Sequence, residues 1–326
     1  MEEKALTNNV MMVRPHNFGF NEQTAATNKF QKKASFSVNL QALNEFNNAV
    51  KTLRMHGINV LVFDDLNDID TPDSIFPNNW ISFHSDGTVV VYPMLALNRR
   101  NERRPDIIQN LSMFYGFSCS RVIDLTNYEN SNKFLEGTGS LVLDRENRIA
   151  YSCVSERTNE EVLNKFCNEM NYRPVKFHAF DETGFPVYHT NVMMALGEKF
   201  AMVCLDSIKN EDDKMAVISA IKGSGKSLIE LTFKQMLNFA GNALELLDSR
   251  GNKKLVISRK ALSSLSNEQK DKLERYCSII SIDVSTIEEC GGGSIRCMLA
   301  EIFLPQKKEI KTTARDPSKK SKLKLR

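Results

Sequence analysis

No run of 18 or more apolar residues occurs in the 326-residue sequence, so nothing in it is expected to cross a membrane as a helix. The start, Met1-Glu2-Glu3-Lys4, has neither the basic opening nor the apolar stretch of a signal peptide. The seven cysteines are odd in number, scattered singly, and never spaced as CxxC. That argues against a disulfide framework and against a zinc ribbon. No His/Cys/Asp cluster has metal-ligand spacing, so neither a metal nor another cofactor is expected. A reducing cytoplasm is the simplest setting, with one cysteine free for chemistry.

A strongly basic body is also missing, although the net charge is +3. From Gln306 to Arg326 nine Lys/Arg face only Glu309 and Asp316, a surplus of seven that leaves the rest near −4. Residues 306–326, rich in Lys, Ser and Thr, read as a basic disordered tail after a single domain over 1–305. The tail reads as solvated, with contact to nucleic acid or an anionic surface as the alternative; the body offers no face for nucleic acid and no membrane segment. Hydrophobic residues at 41% and charged residues at 25% are ordinary for a globular protein, as monomer or homodimer.

What is present is a repeat. Four segments pair two apolar runs across a short polar turn: Trp80 to Pro93, Ser140 to Cys153, Asn191 to Cys204 and Ala243 to Ser258. Their turns, Ser85-Asp86-Gly87, Asp144 to Asn147, Gly197-Glu198-Lys199 and Asp248 to Asn252, are hairpin signals. The starts lie roughly fifty to sixty residues apart, a period typical of repeat architectures. After each hairpin comes a helix-like stretch, Arg103 to Gly116, Asn159 to Met170, Glu211 to Ile221 or Ser266 to Tyr276, and then a short strand. Those strands are 120–124, 174–177, 227–233 and 278–284. A fifth unit assembles from both ends: Cys297 to Pro305 pairs with Val10 to Arg14. The helix Ser37 to His56 follows, with Leu40, Leu43, Phe46, Ala49, Val50 and Leu53 on one face, then the strand Ile58 to Phe63. Five hairpin-helix-strand units closing on each other would make a pseudo-symmetric α/β ring without free edges. A three-layer α/β sandwich is the alternative.

Each unit opens beside a polar or reactive residue: Asn79, Glu136, His189, Asn242 and Cys297. Equivalent strand ends of a ring point to one mouth, so these residues are expected to meet near the axis. Cys297 follows Gly291-Gly292-Gly293-Ser294-Ile295-Arg296. A glycine run allows close approach of backbone and can free amides for an oxyanion. Arg296 adds positive charge that would favour a thiolate if it faces the site. A cysteine in a buried strand is the bland reading; it suits Cys153, Cys167 and Cys204 but does not account for three glycines. His189 stands at a repeat start, unlike His16, His56, His84 and His178, which are read as structural. Glu136, in Phe134-Leu135-Glu136-Gly137, sits between apolar residues and glycines, suited to binding a cation or moving protons.

These residues carry a resemblance. The run Gly291 to Met298 resembles the C-terminal nucleophile motif of arginine deiminases, agmatine deiminases and amidinotransferases, the guanidino-group-modifying superfamily. Leu135-Glu136-Gly137 resembles their Glu-Gly segment, and His189-Thr190-Asn191 their His-x-Asp. Arg157-Thr158-Asn159 resembles a loop of the dimethylarginine hydrolases. Phe76-Pro77-Asn78-Asn79-Trp80, with Val13-Arg14-Pro15 and Phe18-x-Phe20-Asn21, looks like the citrulline-utilisation hydrolase branch. The resemblance runs from about Met12 to Pro305 and implies a five-bladed α/β propeller. By it Cys297, His189 and Glu136 are catalytic in a hydrolase of non-peptide C–N bonds. Arg157 and Arg99 then bind the carboxylate of an amino-acid substrate.

Two departures bear on substrate. Guanidinium binders of the family commonly have Asp where this chain has Asn79 and Asn191. Burying a cation without those partners would cost on the order of several kcal/mol. Asparagine offers both a donor and an acceptor, which suits a neutral ureido group. Citrulline is therefore preferred. Arginine deiminase, dimethylarginine hydrolase and amidinotransferase activities are the alternatives, sharing the same covalent chemistry. Gly137-Thr138-Gly139 stands where deiminases often have Gly-Gly-Asp, a third departure. Two rivals of other classes remain: a catalytically dead propeller acting as a binding module, and an NTP-binding loop at Gly225-Lys226-Ser227. The latter lacks a first glycine at Ala220 and has helix and strand in the wrong order.

Overall fold

A computed structural model describes residues 4–33, 38–66 and 69–306. The tail read over 306–326 therefore lies outside the described residues from 307 onward. Gln306 forms an isolated antiparallel bridge with Phe117.

The Asx- and Gly-bearing turns close hairpins as the sequence implies, and each hairpin gains one parallel strand. The second blade joins Ile81–Phe83, Thr88–Val91 and Arg121–Asp124. The third joins Leu141–Asp144, Ile149–Cys153 and Arg173–Phe177. The fourth joins Met194–Leu196, Phe200–Val203 and Ser227–Glu230. The fifth joins Leu244–Leu247, Lys253–Ser258 and Ser278–Ile282. The first is shared by the two ends of the chain. Asn9–Arg14 pairs in parallel with Asn59–Asp64 and antiparallel with Ala300–Glu301, in the register Val10 to Glu301. Five separate three-stranded sheets make the α/β propeller and exclude the single sheet of a sandwich.

Helices seal the seams between blades. Glu160–Met170 begins where the Asn159 side chain accepts from the amides of Glu161 and Val162, and ends at Asn171 in a left-handed cap. Its inner residues Val162, Leu163, Phe166 and Met170 pack with Val90 and Tyr92 of the second blade and Ala150 of the third. Val38–Met55 buries Phe46, Ala49 and Leu53 against Val10, Val60, Val256 and Ile280, closing the seam between the first and fifth blades. Each large side chain so buried contributes about 1.5–3 kcal/mol.

Three readings change. Leu40 is exposed, because Val38 and Ala42 take the inner face of that helix. Phe233 starts a short helix, Phe233–Leu237, capped by Thr232, so the strand before it stops at Glu230. Cys297 to Pro305 is not one strand. Ile295–Met298 is a 3-10 turn and only Ala300–Glu301 joins the sheet. Short helical turns also precede the hairpins at Pro77–Asn79, Gly137–Ser140 and Thr190–Met193. They turn the chain inward at the axis before it enters each blade.

Candidate active site

The repeat-start residues converge at one mouth of the ring. A pocket with about 270 Å³ of empty space is lined by Asn79, Arg99, Arg157, His189, Cys297 and the three glycines. Thr24, Asn28, Gln31, Asp73, Phe76 and Tyr188 complete its wall.

Glu136, with no exposed surface, precedes the turn Gly137–Ser140. Its Oε2 lies 2.8 Å from His189 Nε2 and accepts from Arg157 Nη1 at 3.4 Å, while Oε1 accepts from the Leu95 amide at 3.0 Å. Burial alone would raise its carboxyl. Arg157, the His189 hydrogen bond and Arg99 outweigh that and hold it well below the usual carboxylate range. Burial also pushes His189 down to about 4 against the opposing pull of Glu136. At neutral pH the imidazole is therefore neutral. With Nε2–H given to the carboxylate, Nδ1 is left as the basic nitrogen.

The third departure from the family pattern has a steric reason. A Cβ at Gly139 would fall 2.3 Å from Asn79 Nδ2 and 2.8 Å from His189 Nδ1, so only glycine fits there.

Cys297 is 6% exposed, and its sulfur faces two side-chain amides: Asn242 Nδ2 at 3.2 Å and Asn191 Nδ2 at 3.5 Å. The glycines serve the approach to it. Gly292 takes a left-handed φ of 64° after the helix Ser285–Gly291. Its carbonyl accepts from Tyr188 Oη at 2.8 Å and Asn28 Nδ2 at 3.3 Å. The amides of Gly292, Arg296 and Cys297 are already given to Glu288 O, Asn242 Oδ1 and Ser294 O, so these three are not free for an oxyanion. Cys153 and Cys167 are buried elsewhere, and burial pushes both thiols up to about 12, inert by comparison.

Several expectations are corrected here. Arg296 does not face the sulfur. Its guanidinium donates to Glu301 Oε2 at 3.0 Å and Leu299 O at 2.9 Å. Arg99 lines the pocket, but most of its guanidinium is already engaged: Nε and Nη2 donate to Glu102 at 2.9 Å each, and Nη1 donates to Asn79 Oδ1 at 2.9 Å. Asn242 does not line the pocket. Its Oδ1 accepts from the Arg296 amide, and its Nδ2 reaches Asn191 O and the Cys297 sulfur, which leaves no group for substrate. Arg157 donates to Thr27 Oγ1 and Thr24 O and lies over the Tyr188 ring. Lys226 of the supposed phosphate loop is buried on Asp144 and Glu198 O.

Sequence reasoning missed Asp73 and the segment Asn21 to Lys32. That segment crosses the pocket through Asn21 to Asp73, Gln31 to Gly291 O, and the Lys32 amide to Glu289 O. Asp73 is buried, and its Oδ1 has no partner. Neither belongs to a repeat unit, so periodicity gave no signal; Asn21 alone stood in a quoted motif. Asn79 Nδ2 and Asn191 Oδ1 are likewise buried and unpartnered. Among the described residues no group of three or more His, Cys, Asp or Glu is placed to hold a metal ion, and no helix is long and apolar enough to cross a membrane.

Five three-stranded blades surround a polar pocket, and the family match over residues 14–304 sets the class: a guanidino-group-modifying propeller enzyme. Residues 14–304 match the profile of the family described as N,N dimethylarginine dimethylhydrolase, eukaryotic. The chain belongs to that family, hydrolases of C–N bonds other than peptide bonds. Solved structures share the fold. Apo ArgZ, an arginine dihydrolase from the ornithine-ammonia cycle in cyanobacteria, matches with a TM-score of 0.69 at 16% identity, over 91% of this chain and 41% of ArgZ. This chain thus spans less than half of that protein. The N-terminal domain of ArgZ bound to substrate gives 0.68 at 17% identity, over 91% and 99%. A dimethylarginine dimethylaminohydrolase adduct with S-methyl-L-thiocitrulline gives 0.61 at 14%, over 91% and 100%. Identities this low show the fold alone. Comparison with curated protein sequences gave no match.

Proposed function

We propose that residues 1–305 form one catalytic domain that hydrolyses the ureido group of citrulline through a thiol nucleophile, Cys297. The observation that carries the substrate is the fixed amide of Asn79. Arg99 has only donors, so Asn79 must turn Oδ1 toward it. Nδ2 is then held as an unpartnered buried donor. A ureido oxygen accepts from such a donor; a guanidinium, which has only N–H groups, does not. Asn191 is complementary: its Nδ2 is on the sulfur and its unpartnered Oδ1 can accept from the ureido NH2. The resemblance of residues 76–80 to the citrulline-utilisation branch supports the same reading.

At the other end of the substrate, the lone Oδ1 of Asp73 suits an α-ammonium group. Burial raises that carboxyl against the pull of Arg99, a penalty that a bound cation relieves. Arg157 suits the carboxylate, in exchange for its bonds to Thr24 and Thr27.

The mechanism uses these groups in turn. Cys297 gives its proton to His189 Nδ1, and the sulfur attacks the ureido carbon while Asn79 Nδ2 holds the oxygen. His189 passes the proton to the departing nitrogen, which leaves as ammonia. Water, deprotonated by His189, then cleaves the S-carbamoyl intermediate. The carbamate released loses carbon dioxide to give ornithine. Glu136 keeps the imidazole oriented and supports its transient charge.

The family description favours a second reading, dimethylarginine, which the same steps would convert to citrulline and dimethylamine. Ammonia and dimethylamine release from citrulline, arginine and dimethylarginine, with Cys297→Ala as control, decides between them. Turnover should require Cys297 and be fastest with citrulline. Turnover of dimethylarginine alone would transfer the assignment to the second reading, and activity retained in Cys297→Ala would end both.

A further inference from the structure

We infer that Arg296 and Glu301, on the far side of the ring from the pocket, are positioning residues that set the Cys297 sulfur through Asn242. The inference rests on the reading of Cys297 as nucleophile.

The argument follows the hydrogen bonds. Asn242 is 1% exposed, and every group of its amide is used. Oδ1 accepts from the Arg296 main-chain N–H at 3.0 Å, while Nδ2 reaches Asn191 O at 3.0 Å and the Cys297 sulfur at 3.2 Å. An asparagine amide can present either its nitrogen or its oxygen. Against a sulfur that must carry negative charge, only the nitrogen is acceptable. The Arg296 amide and the Asn191 carbonyl decide this together: the donor holds the oxygen on one side, and the acceptor holds the nitrogen on the other, next to the sulfur. Asn242 also carries Asn191, whose own Nδ2 is the second donor to sulfur, at 3.5 Å. Both sulfur contacts therefore depend in part on where one peptide N–H of the turn Ile295–Met298 points.

That peptide is anchored from the rear. The Arg296 side chain leaves the turn away from the pocket, into a cleft lined by Arg145, Glu245 and Glu301. There it is clamped by Glu301 Oε2 at 3.0 Å and Leu299 O at 2.9 Å. Glu301 is itself fixed by strand pairing opposite Val10, with Arg145 Nε 4.0 Å from its Oε1. Releasing the clamp frees the turn, and the Asn242 amide loses one of the two bonds that orient it. The sulfur then faces an amide held less firmly with its nitrogen forward. No atom of Arg296 or Glu301 needs to touch substrate for this, so substrate binding should be spared.

The test uses the full chain and two readouts. The first is the rate at which iodoacetamide alkylates Cys297 at neutral pH, located by peptide mass spectrometry. It needs no knowledge of the substrate. The second is kcat and KM for citrulline. Asn242→Ala should slow alkylation and kcat by about tenfold or more, the worth of a hydrogen bond to a charged group. Glu301→Gln and Arg296→Lys should move both in the same direction by a smaller factor, with KM changed less than about twofold. Thermal melting checks that each variant folds. General loosening is separated from this route by the double variant Asn242→Ala with Glu301→Gln. If Glu301 acts through Asn242, the double should be no slower than Asn242→Ala alone. Multiplying effects, an unchanged alkylation rate in Glu301→Gln, or a rise in KM without a fall in kcat would each overturn the inference. Failure of the underlying reading looks different: in the unmodified protein Cys297 would then react no faster than Cys119.

Discussion

Replacing Asn79 by Asp exchanges one donor for an acceptor in a place where everything else stays fixed. Arg99 continues to hold one side-chain oxygen at 2.9 Å, as it does in the asparagine. The other position, now Nδ2 without a partner beside His189 and Gly139, becomes a carboxylate oxygen. For a ureido substrate this removes the donor to its oxygen and sets two acceptors against each other in a buried place. A mismatch of that kind costs about 1–3 kcal/mol. For a guanidinium the same change supplies a charge-assisted acceptor, about 1.5–3 kcal/mol in its favour. The ratio of kcat/KM for citrulline to that for dimethylarginine should therefore fall by about 3 kcal/mol or more, two orders of magnitude. The assay is competition of the two substrates in one vessel, following ornithine against dimethylamine. A ratio that stays put, or moves toward citrulline, refutes the reasoning. Asn79 would then be a structural partner of Arg99 and the fixed amide irrelevant to specificity.

Three further outcomes follow from the geometry. Asp73→Asn should raise KM for citrulline by about tenfold, one charge-assisted bond, and leave KM for the analogue without its α-amino group unchanged; equal effects on both would remove Asp73 from substrate binding. With His189 pushed down to about 4 by burial, the unfolded chain binds a proton there that the folded chain does not, from its ordinary value near 6.5 down to 4. Stability should thus rise with pH across that window, by about 3 kcal/mol for the full shift. Urea unfolding of Cys297→Ala at several pH values should show the slope, and His189→Asn in the same background should flatten it. Phe166→Ala, emptying the seam between the second and third blades, should cost about 3–5 kcal/mol of stability and leave KM for citrulline unchanged in protein that remains folded.

The blades were legible because each hairpin turn is written in Asp, Asn and Gly and recurs at a period. The same period marks Glu136, His189 and Cys297 in the sequence itself. Turns of three or four residues before the hairpins were not legible, since a single helical turn has no periodicity to detect. Asp73 lies outside the repeat, in a loop, and only its orphaned oxygen marks it. The misreadings at Arg99, Arg296 and Asn242 share a cause. Each residue was assigned by its type and neighbours, but its role is decided by partners: Glu102 for Arg99, Glu301 for Arg296, and a main-chain N–H for Asn242. Such saturation is a property of three-dimensional packing, and no spacing rule reports it.

The first blade takes its inner strand from one end of the chain and a neighbouring strand from the other, with Cys297 three residues ahead of Ala300–Glu301. During synthesis Asn9–Arg14 emerges long before that partner exists. At roughly 5–20 residues per second, the ribosome needs on the order of fifteen seconds to a minute to travel from one to the other. Glu136 and His189 emerge in between, so only for the last part of that interval does the nascent chain carry both without Cys297. A chain released before residue 297 therefore lacks both the closing strand of the first blade and the thiol proposed as nucleophile.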